Sequence, residues 1–415
     1  MPAIKIHQTV LTNGLRVVVC PDHGAPVVNV TVMYGVGSHD EVYGKTGLAH
    51  LFEHLMFDNT SNGMEKQYDT FCAKAGGTNN AYTTFDYTTY YINLPAHQVE
   101  LGYWLEAERM RAFRITDHAL ATQRSVVVEE IKQNVENQPY GKWRHAMEEV
   151  AFDAQSSYSW EVYGSAKDVE AVTMQDAKAF FERYYQPANA VLCVAGDVDP
   201  EYATALAERH FGGIPAPASV PVRNQFKPEW RRHGTVGVVP DTVPMPATFL
   251  AFHVPGLLDD TSYAAEIAAT ILGSGRSSPL YRSLVQDLQI ASSVGAFVDK
   301  RLHDSLLTFY AYASKEDVTA DQLIEAIHAA IVNTVCTEAD RTKAVNKLRT
   351  SLAAELQRVS GVADTVAYHT LFYNEPEQVN QLLDKYSSQP LSLVQQIVAE
   401  CSLISQGVRV DIVPA

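Results

Sequence analysis

Hydrophobic and polar positions along this chain follow two periods, and the switches between them mark out its elements. Near the start, Thr12-Asn13-Gly14-Leu15 reads as a turn into the β-branched run Arg16-Val17-Val18-Val19-Cys20. Val27 to Val36 reads as a second strand, partly alternating, which breaks at Gly35-Val36-Gly37-Ser38. From Gly47 to Phe57 the period changes, because Leu48, Leu51, Phe52 and Leu55 recur at helical spacing. Tyr68 to Ala75 is predicted as another helix, stopped by Gly76-Gly77. Asn79 to Pro95 is so dense in Thr and Tyr that strand is expected, with a hairpin bend near Phe85-Asp86. Gln98 to Arg111 is helical through Leu101, Trp104, Leu105 and Met110, and a long helix is expected from Asp117 to about Asn137. Val191 to Asp199 closes this series as a buried strand ending in a turn.

Between Phe211 and Trp230 the pattern lapses. Gly212, Gly213, Pro215, Pro217, Pro221 and Pro228 fall there, which predicts a linker. Beyond it the first outline recurs, with strands at Thr235 to Val239 and Ala247 to Val254, a break at Pro255-Gly256, and a helix from Ser262 to Leu272. Strand pair, turn and helix in one order twice over predict a duplicated domain. The expected division is 1–210, a linker at 211–230 and a second copy at 231–415. The fold class expected is α+β, each copy an antiparallel sheet with helices packed on one face.

Length and composition agree with two domains: the chain has 415 residues, of which 46% are hydrophobic and 19% charged. No run approaches about 18 consecutive apolar residues, so no membrane span is expected. The net charge of -16 argues against nucleic acid and anionic lipid as partners. Cys20, Cys72, Cys193, Cys336 and Cys401 are scattered and odd in number, and read as buried thiols. Met1 to Val10 lacks the basic-then-apolar layout of a secretion signal, so the compartment expected is the cytoplasm, or the periplasm had a leader been removed.

Candidate chemistry sits on the helix at residues 47–57, in His50-Leu51-Phe52-Glu53-His54. On a helix His50 and His54 are one turn apart and project from one face, so two imidazoles can grip one metal ion. Glu53 can then take a proton from a metal-bound water, whose pKa a divalent ion lowers from about 15.7 to roughly 7. H-x-x-E-H is the inverted form of a zinc-hydrolase motif. A third ligand is needed, and a carboxylate on a second helix is the simplest supplier. Glu129 and Glu130, set between Val126-Val127-Val128 and Ile131, are the candidates. The Thr- and Tyr-rich stretch offers an edge on which an extended peptide could add as a strand. The second copy carries no His-x-x-Glu-His, so the metal chemistry belongs to the first half.

Several motifs together carry a family resemblance: Leu11-x-Asn13-Gly14-Leu15, His50 to His54, Gly76-Gly77 with Asn80-Ala81-x-Thr83, Val126-Val127-x-Glu129-Glu130, Tyr185-x-Pro187-x-Asn189 and Gly196-Asp197-Val198. In these the sequence resembles the M16 family of zinc metallopeptidases, which includes pitrilysin, insulin-degrading enzyme, the mitochondrial processing peptidase and shorter bacterial subunits. The resemblance implies Zn2+ held by His50, His54 and the glutamate 76 positions beyond it, which is Glu130, with Glu53 as general base. It also implies that the strand at Asn80, Ala81 and Thr83 aligns the substrate backbone.

The sequence departs from the family pattern in two respects, at three positions. Seven residues before Glu130, where another glutamate is common, stands Gln123, which can hydrogen-bond but brings no charge. Active members usually present an Arg and a Tyr from the second domain to hold the substrate and stabilise the tetrahedral intermediate, and Val285 and Ser292 occupy those places here. A preorganised donor of that kind is commonly worth about 2.7–4 kcal/mol. The resemblance therefore implies a metalloendopeptidase acting on peptides or unfolded segments as the zinc-bearing half of a heterodimer, its homologous partner supplying the Arg/Tyr pair. The alternatives are a non-catalytic core subunit of an M16-type complex, or a processing enzyme dedicated to one peptide precursor.

Overall fold

The computed structural model describes residues 3–58, 67–216 and 219–415, so Pro217 of the expected linker lies outside the described residues. The chain packs as two compact units, one made of Met1–Glu129, Val162–Asn224 and Ala353–Leu382, the other of Glu130–Glu161, Gln225–Leu352 and Leu383–Ala415. Each unit thus takes in a helical stretch from the other half of the sequence, an exchange that linear patterning cannot display.

The first unit is built on six strands: β1 (His7–Val10), β2 (Arg16–Pro21), β3 (Val27–Tyr34), β4 (Thr78–Thr83), β5 (Thr88–Pro95) and β6 (Ala190–Gly196), in the order β1-β2-β6-β3-β5-β4. The second has five: β7 (Val236–Asp241), β8 (Ala247–Pro255), β9 (Ala291–Asp299), β10 (Asp304–Ala313) and β11 (Val408–Pro414), in the order β7-β11-β8-β10-β9. That is the order of β2-β6-β3-β5-β4 repeated, strand for strand, as expected of a duplication. The hairpin predicted at Phe85-Asp86 joins β4 to β5, with Thr83 opposite Thr88.

Two features of the sheets correct the sequence expectation. Neither sheet is purely antiparallel: β2 runs parallel to β6, and β7 parallel to β11. In each case the later strand returns through a long helical crossover, which a parallel pairing requires. The sheets are also covered on more than one face. β6 is buried at every position and β3 at all but its first. The alternation in β3 comes from Asn29 and Thr31, polar residues that are buried, with Asn29 donating to Asn93 at 3.0 Å and accepting from the Thr31 hydroxyl at 2.6 Å. A polar residue can face a protein layer when its partners are supplied there.

The helices used below are α1 (Leu48–Asp58), α2 (Tyr68–Lys74), α3 (Val99–Arg111), α4 (Asp117–Ile131) and α5 (Trp143–Ala151). α4 passes into a π-helical turn at Lys132–Glu136, so the predicted helix to Asn137 is continuous but widens at its end. α3 packs on the first sheet through Gly102, which lies against Val30 and Leu94. The helix Val359–Tyr373 also packs along β3 and β6. Arg16 of β2 donates to its carbonyls at Thr370 and Leu371, at 3.0 and 3.1 Å. In the second unit Trp143 of α5 stacks on Phe249 with ring centroids 4.5 Å apart. All five cysteines are free and buried. Among the described residues no helix is long and apolar enough to cross a membrane.

Candidate metal centre

His50, Glu53 and His54 of the candidate site are placed by α1. Its apolar side, Leu48, Leu51, Phe52 and Leu55, is buried. Phe52 packs on Phe180 and Tyr185 at centroid distances of 4.9 and 5.1 Å, and its carbonyl accepts from the Tyr90 hydroxyl at 3.3 Å. Phe57 rests on the buried guanidinium of Arg109, 5.0 Å from the ring centre. Arg109 itself comes from α3 and lies 3.5 Å from Glu106, whose carboxylate accepts from the Tyr68 hydroxyl at 2.5 Å. Burial pushes the Glu106 carboxyl above its ordinary range, against the opposing effects of Arg109 and of the Tyr68 bond.

The amino-terminal end of α1 is held by a residue that sequence reasoning missed. The buried Glu41 carboxylate accepts from the amide of Gly47 at 3.0 Å and from that of Ala49 at 2.7 Å. Helix amino termini leave such amides without partners in the helix and carry partial positive charge, so an anion is favoured there. Gly47 has φ of +81°, and a Cβ at that position would meet the Tyr163 carbonyl oxygen at 2.4 Å. The Tyr163 ring in turn packs edge-on against His50, 4.8 Å between centroids. No pattern signals Glu41 or Tyr163, because their roles depend on where loops return.

His50 and His54 do lie on one face of α1, rings edge to face at 4.9 Å. The structure brings Glu130 to them: the ligand atoms of His50, His54 and Glu130 all lie within 4.8 Å of one another. Among the described residues this is the one set of three His, Cys, Asp or Glu side chains gathered so closely. Glu130 follows Glu129 on the unbroken α4; Glu129 is exposed, whereas Glu130 is half-buried beside the buried Val127, Val128 and Ile131. Two imidazoles and a carboxylate form a donor set that suits zinc, with a fourth position left for water or substrate.

Glu53 stands one residue before His54, and its carboxylate accepts from the Thr83 hydroxyl at 2.6 Å. Thr83 ends β4, the terminal strand of its sheet, paired with β5 and with no strand on its other side among the described residues. Of the residues expected to bind substrate, Asn80 is exposed and its side-chain oxygen accepts from the amide of Ala81 at 2.9 Å, whereas Ala81 itself is buried. Gln123 donates to Asp58, the last residue of α1, at 2.7 Å. Of the positions expected to lack the Arg/Tyr pair, Val285 packs against the apolar core of the second unit. The Ser292 hydroxyl is engaged by the carbonyls of Tyr312 and Ala313 at 3.3 and 3.1 Å, where the β9–β10 register shifts.

The family model described as "Insulinase (Peptidase family M16)" matches residues 16–157, and that described as "Peptidase M16 inactive domain" matches residues 171–348. Zinc protease PqqE of Helicobacter pylori is 30% identical over 329 residues, 78% of this chain and 74% of that protein. The chain belongs to peptidase family M16. Another M16 relative, the probable mitochondrial-processing peptidase subunit beta of Arabidopsis thaliana, is 25% identical over 417 residues, covering 96% of this chain and 76% of that one. Among solved structures, a protease from Helicobacter pylori superposes with a TM-score of 0.92 at 27% identity, covering 99% of this chain and 100% of its own. An M16-like peptidase from Alicyclobacillus acidocaldarius shares the fold, with a TM-score of 0.85 at 18% identity over 100% of this chain and 99% of that one. The half of this M16 chain that carries His-x-x-Glu-His is the half matched by the insulinase model, and the half without it is matched by the inactive-domain model.

Proposed function

We propose that this M16 chain is a zinc-dependent endopeptidase that hydrolyses peptides or unfolded polypeptide segments. The observation that carries the reading is the gathering of His50, His54 and Glu130 within 4.8 Å of one another beside Glu53. These three residues hold the ion. Zinc held there would supply a water of lowered pKa and Lewis acidity toward a carbonyl oxygen. Glu53 takes the proton from the attacking water and later delivers it to the leaving amine. Thr83, by donating to one oxygen of Glu53, helps to orient the carboxylate. The open side of β4 at Asn80 and Ala81 receives the substrate as an added strand, whose main-chain bonds tolerate many side chains.

Hydrolysis also needs a donor for the developing oxyanion. Val285 packs on apolar side chains and Ser292 spends its hydroxyl on two backbone carbonyls, so neither serves. We assign that donor to a homologous subunit carrying the Arg/Tyr pair, which makes this chain the zinc-bearing half of a heterodimer. The test is peptide cleavage by the zinc-loaded chain alone, with the homologous subunit, and with Glu53→Gln in place of the parent. Activity that requires the second subunit and disappears in Glu53→Gln is the expected result. Full activity of the chain alone overturns the heterodimer. Zinc binding without cleavage in any mixture overturns the endopeptidase and favours a core subunit.

A further inference from the structure

Gln123 reads from the sequence as a lost carboxylate, yet a carboxylate is present at that point of the structure. It belongs to Asp58, which accepts from the Gln123 amide at 2.7 Å across 65 residues of chain. Asp58 is buried, 6% exposed, where a carboxylate without a hydrogen-bond partner is costly. A bond from a neutral donor that holds such a group in place is one the fold maintains against that cost.

The spacing shows what the bond aligns. His50, His54 and Asp58 follow one another by single turns along α1. Gln123 and Glu130 are two turns apart on α4, about 10 Å along its axis. The two helices therefore meet at two levels: His50 and His54 face Glu130, and Asp58 faces Gln123. A helix pinned at one level can still slide or rotate at the other, whereas one pinned at both cannot.

We infer that Asp58 and Gln123 are positioning residues, which fix the register in which α4 presents Glu130 to the two histidines. The inference rests on the zinc reading above. It inverts the obvious expectation for Gln123, because restoring the family's glutamate here would set two carboxylates about 2.7 Å apart, the present donor–acceptor distance.

The test is zinc affinity, measured by competition with a chromophoric chelator at pH 8, on four variants of the full chain. Gln123→Glu should raise the zinc Kd by about 10–100-fold, the range usual for residues that orient a ligand. Asp58→Asn combined with Gln123→Glu exchanges carboxylate and amide between the helices and should return the Kd to within about threefold of the parent. Asp58→Ala, which removes the acceptor without adding a charge and keeps the test open should Gln123→Glu fail to fold, should raise the Kd about tenfold. Unchanged or tighter binding in Gln123→Glu overturns the inference, as does a double variant no better than Gln123→Glu, or an Asp58→Ala that binds like the parent. His54→Ala serves as the separate control: if it retains zinc, the metal reading fails and the pair is not what was at fault.

Discussion

Replacing Glu41 by Gln probes how the metal helix is held, because the residue touches neither metal nor substrate. The parent carboxylate accepts two amides, at 3.0 and 2.7 Å, in a site where Glu41 is only 3% exposed. Hydrogen bonds to a charged group are worth about 1.5–3 kcal/mol each, and an anion at a helix amino terminus adds about 0.3–1 kcal/mol. Gln keeps one acceptor oxygen and sets an NH2 group against the other amide, so the loss is about 2–4 kcal/mol. For a unit of roughly 200 residues, at about 2–4 °C per kcal/mol, Tm of the metal-free chain should fall by about 4–16 °C. His50 lies in the first turn that Glu41 holds, so part of this loss reappears when that turn must order around zinc. At 1.4 kcal/mol per tenfold, a zinc Kd raised by about 10–100-fold follows. Differential scanning calorimetry and chelator competition on the same preparation measure both. A Glu41→Gln chain with parental Tm would refute the capping argument, and a lower Tm with parental zinc affinity would refute its link to His50.

The remaining side chains of the site separate by what each should change. Glu130→Gln should weaken zinc by more than roughly 100-fold while Glu129→Gln, on the exposed side of α4, stays within about twofold, so equal effects in chelator competition would undo the ligand assignment. Thr83→Val is nearly isosteric and removes only the 2.6 Å bond to Glu53; kcat of the assembled enzyme should drop about tenfold with zinc Kd unmoved, and a shift in zinc affinity instead would show that the threonine supports the fold of the site.

How much of this was legible in the sequence depends on whether the information is local. α1, its histidine spacing, the β4–β5 hairpin and the stop after α2, where Gly76 has φ of +76°, each rest on periods or turn residues within a few positions. β1 was missed because His7–Val10 is mostly exposed and has no apolar alternation, gaining its strand state from pairing with β2. The choice between Glu129 and Glu130 was open on pattern alone for a physical reason: three consecutive valines, Val126 to Val128, do not say which side of α4 faces inward. The structure leaves Val126 45% exposed and buries the other two, which turns Glu130 toward the histidines. Glu41, Asp58 and the docking of Val359–Tyr373 on the first sheet were out of reach, since periodicity reports that a face is buried and not what covers it.

Arg109 gives a prediction in which pH decides the outcome. Its guanidinium lies fully buried over the rings of Phe57, Tyr68 and Tyr90, 5.0, 4.4 and 4.3 Å from their centres, with Glu106 as its ion partner. Breaking a buried pair from one side costs about 3–5 kcal/mol, because the other charge is left without compensation. In Arg109→Met that charge is Glu106, whose carboxyl burial already pushes above its ordinary range and from which the opposing influence of the arginine is now removed. A carboxyl with a raised folded-state pKa holds its proton in the folded chain over a range where the unfolded chain, titrating near 4.3, has released it. Stability contributed by that proton is present in full below the unfolded pKa and is lost as pH rises through the folded one, by up to about 1.4 kcal/mol per pH unit. Arg109→Met should therefore be closer to the parent in Tm at pH 5 than at pH 8, and adding Glu106→Gln should abolish the difference between the two pH values. The same deficit at both pH values would mean that the lost contacts to the aromatic rings, and not an uncompensated carboxylate, are what the arginine provides beneath Phe57 of the metal helix.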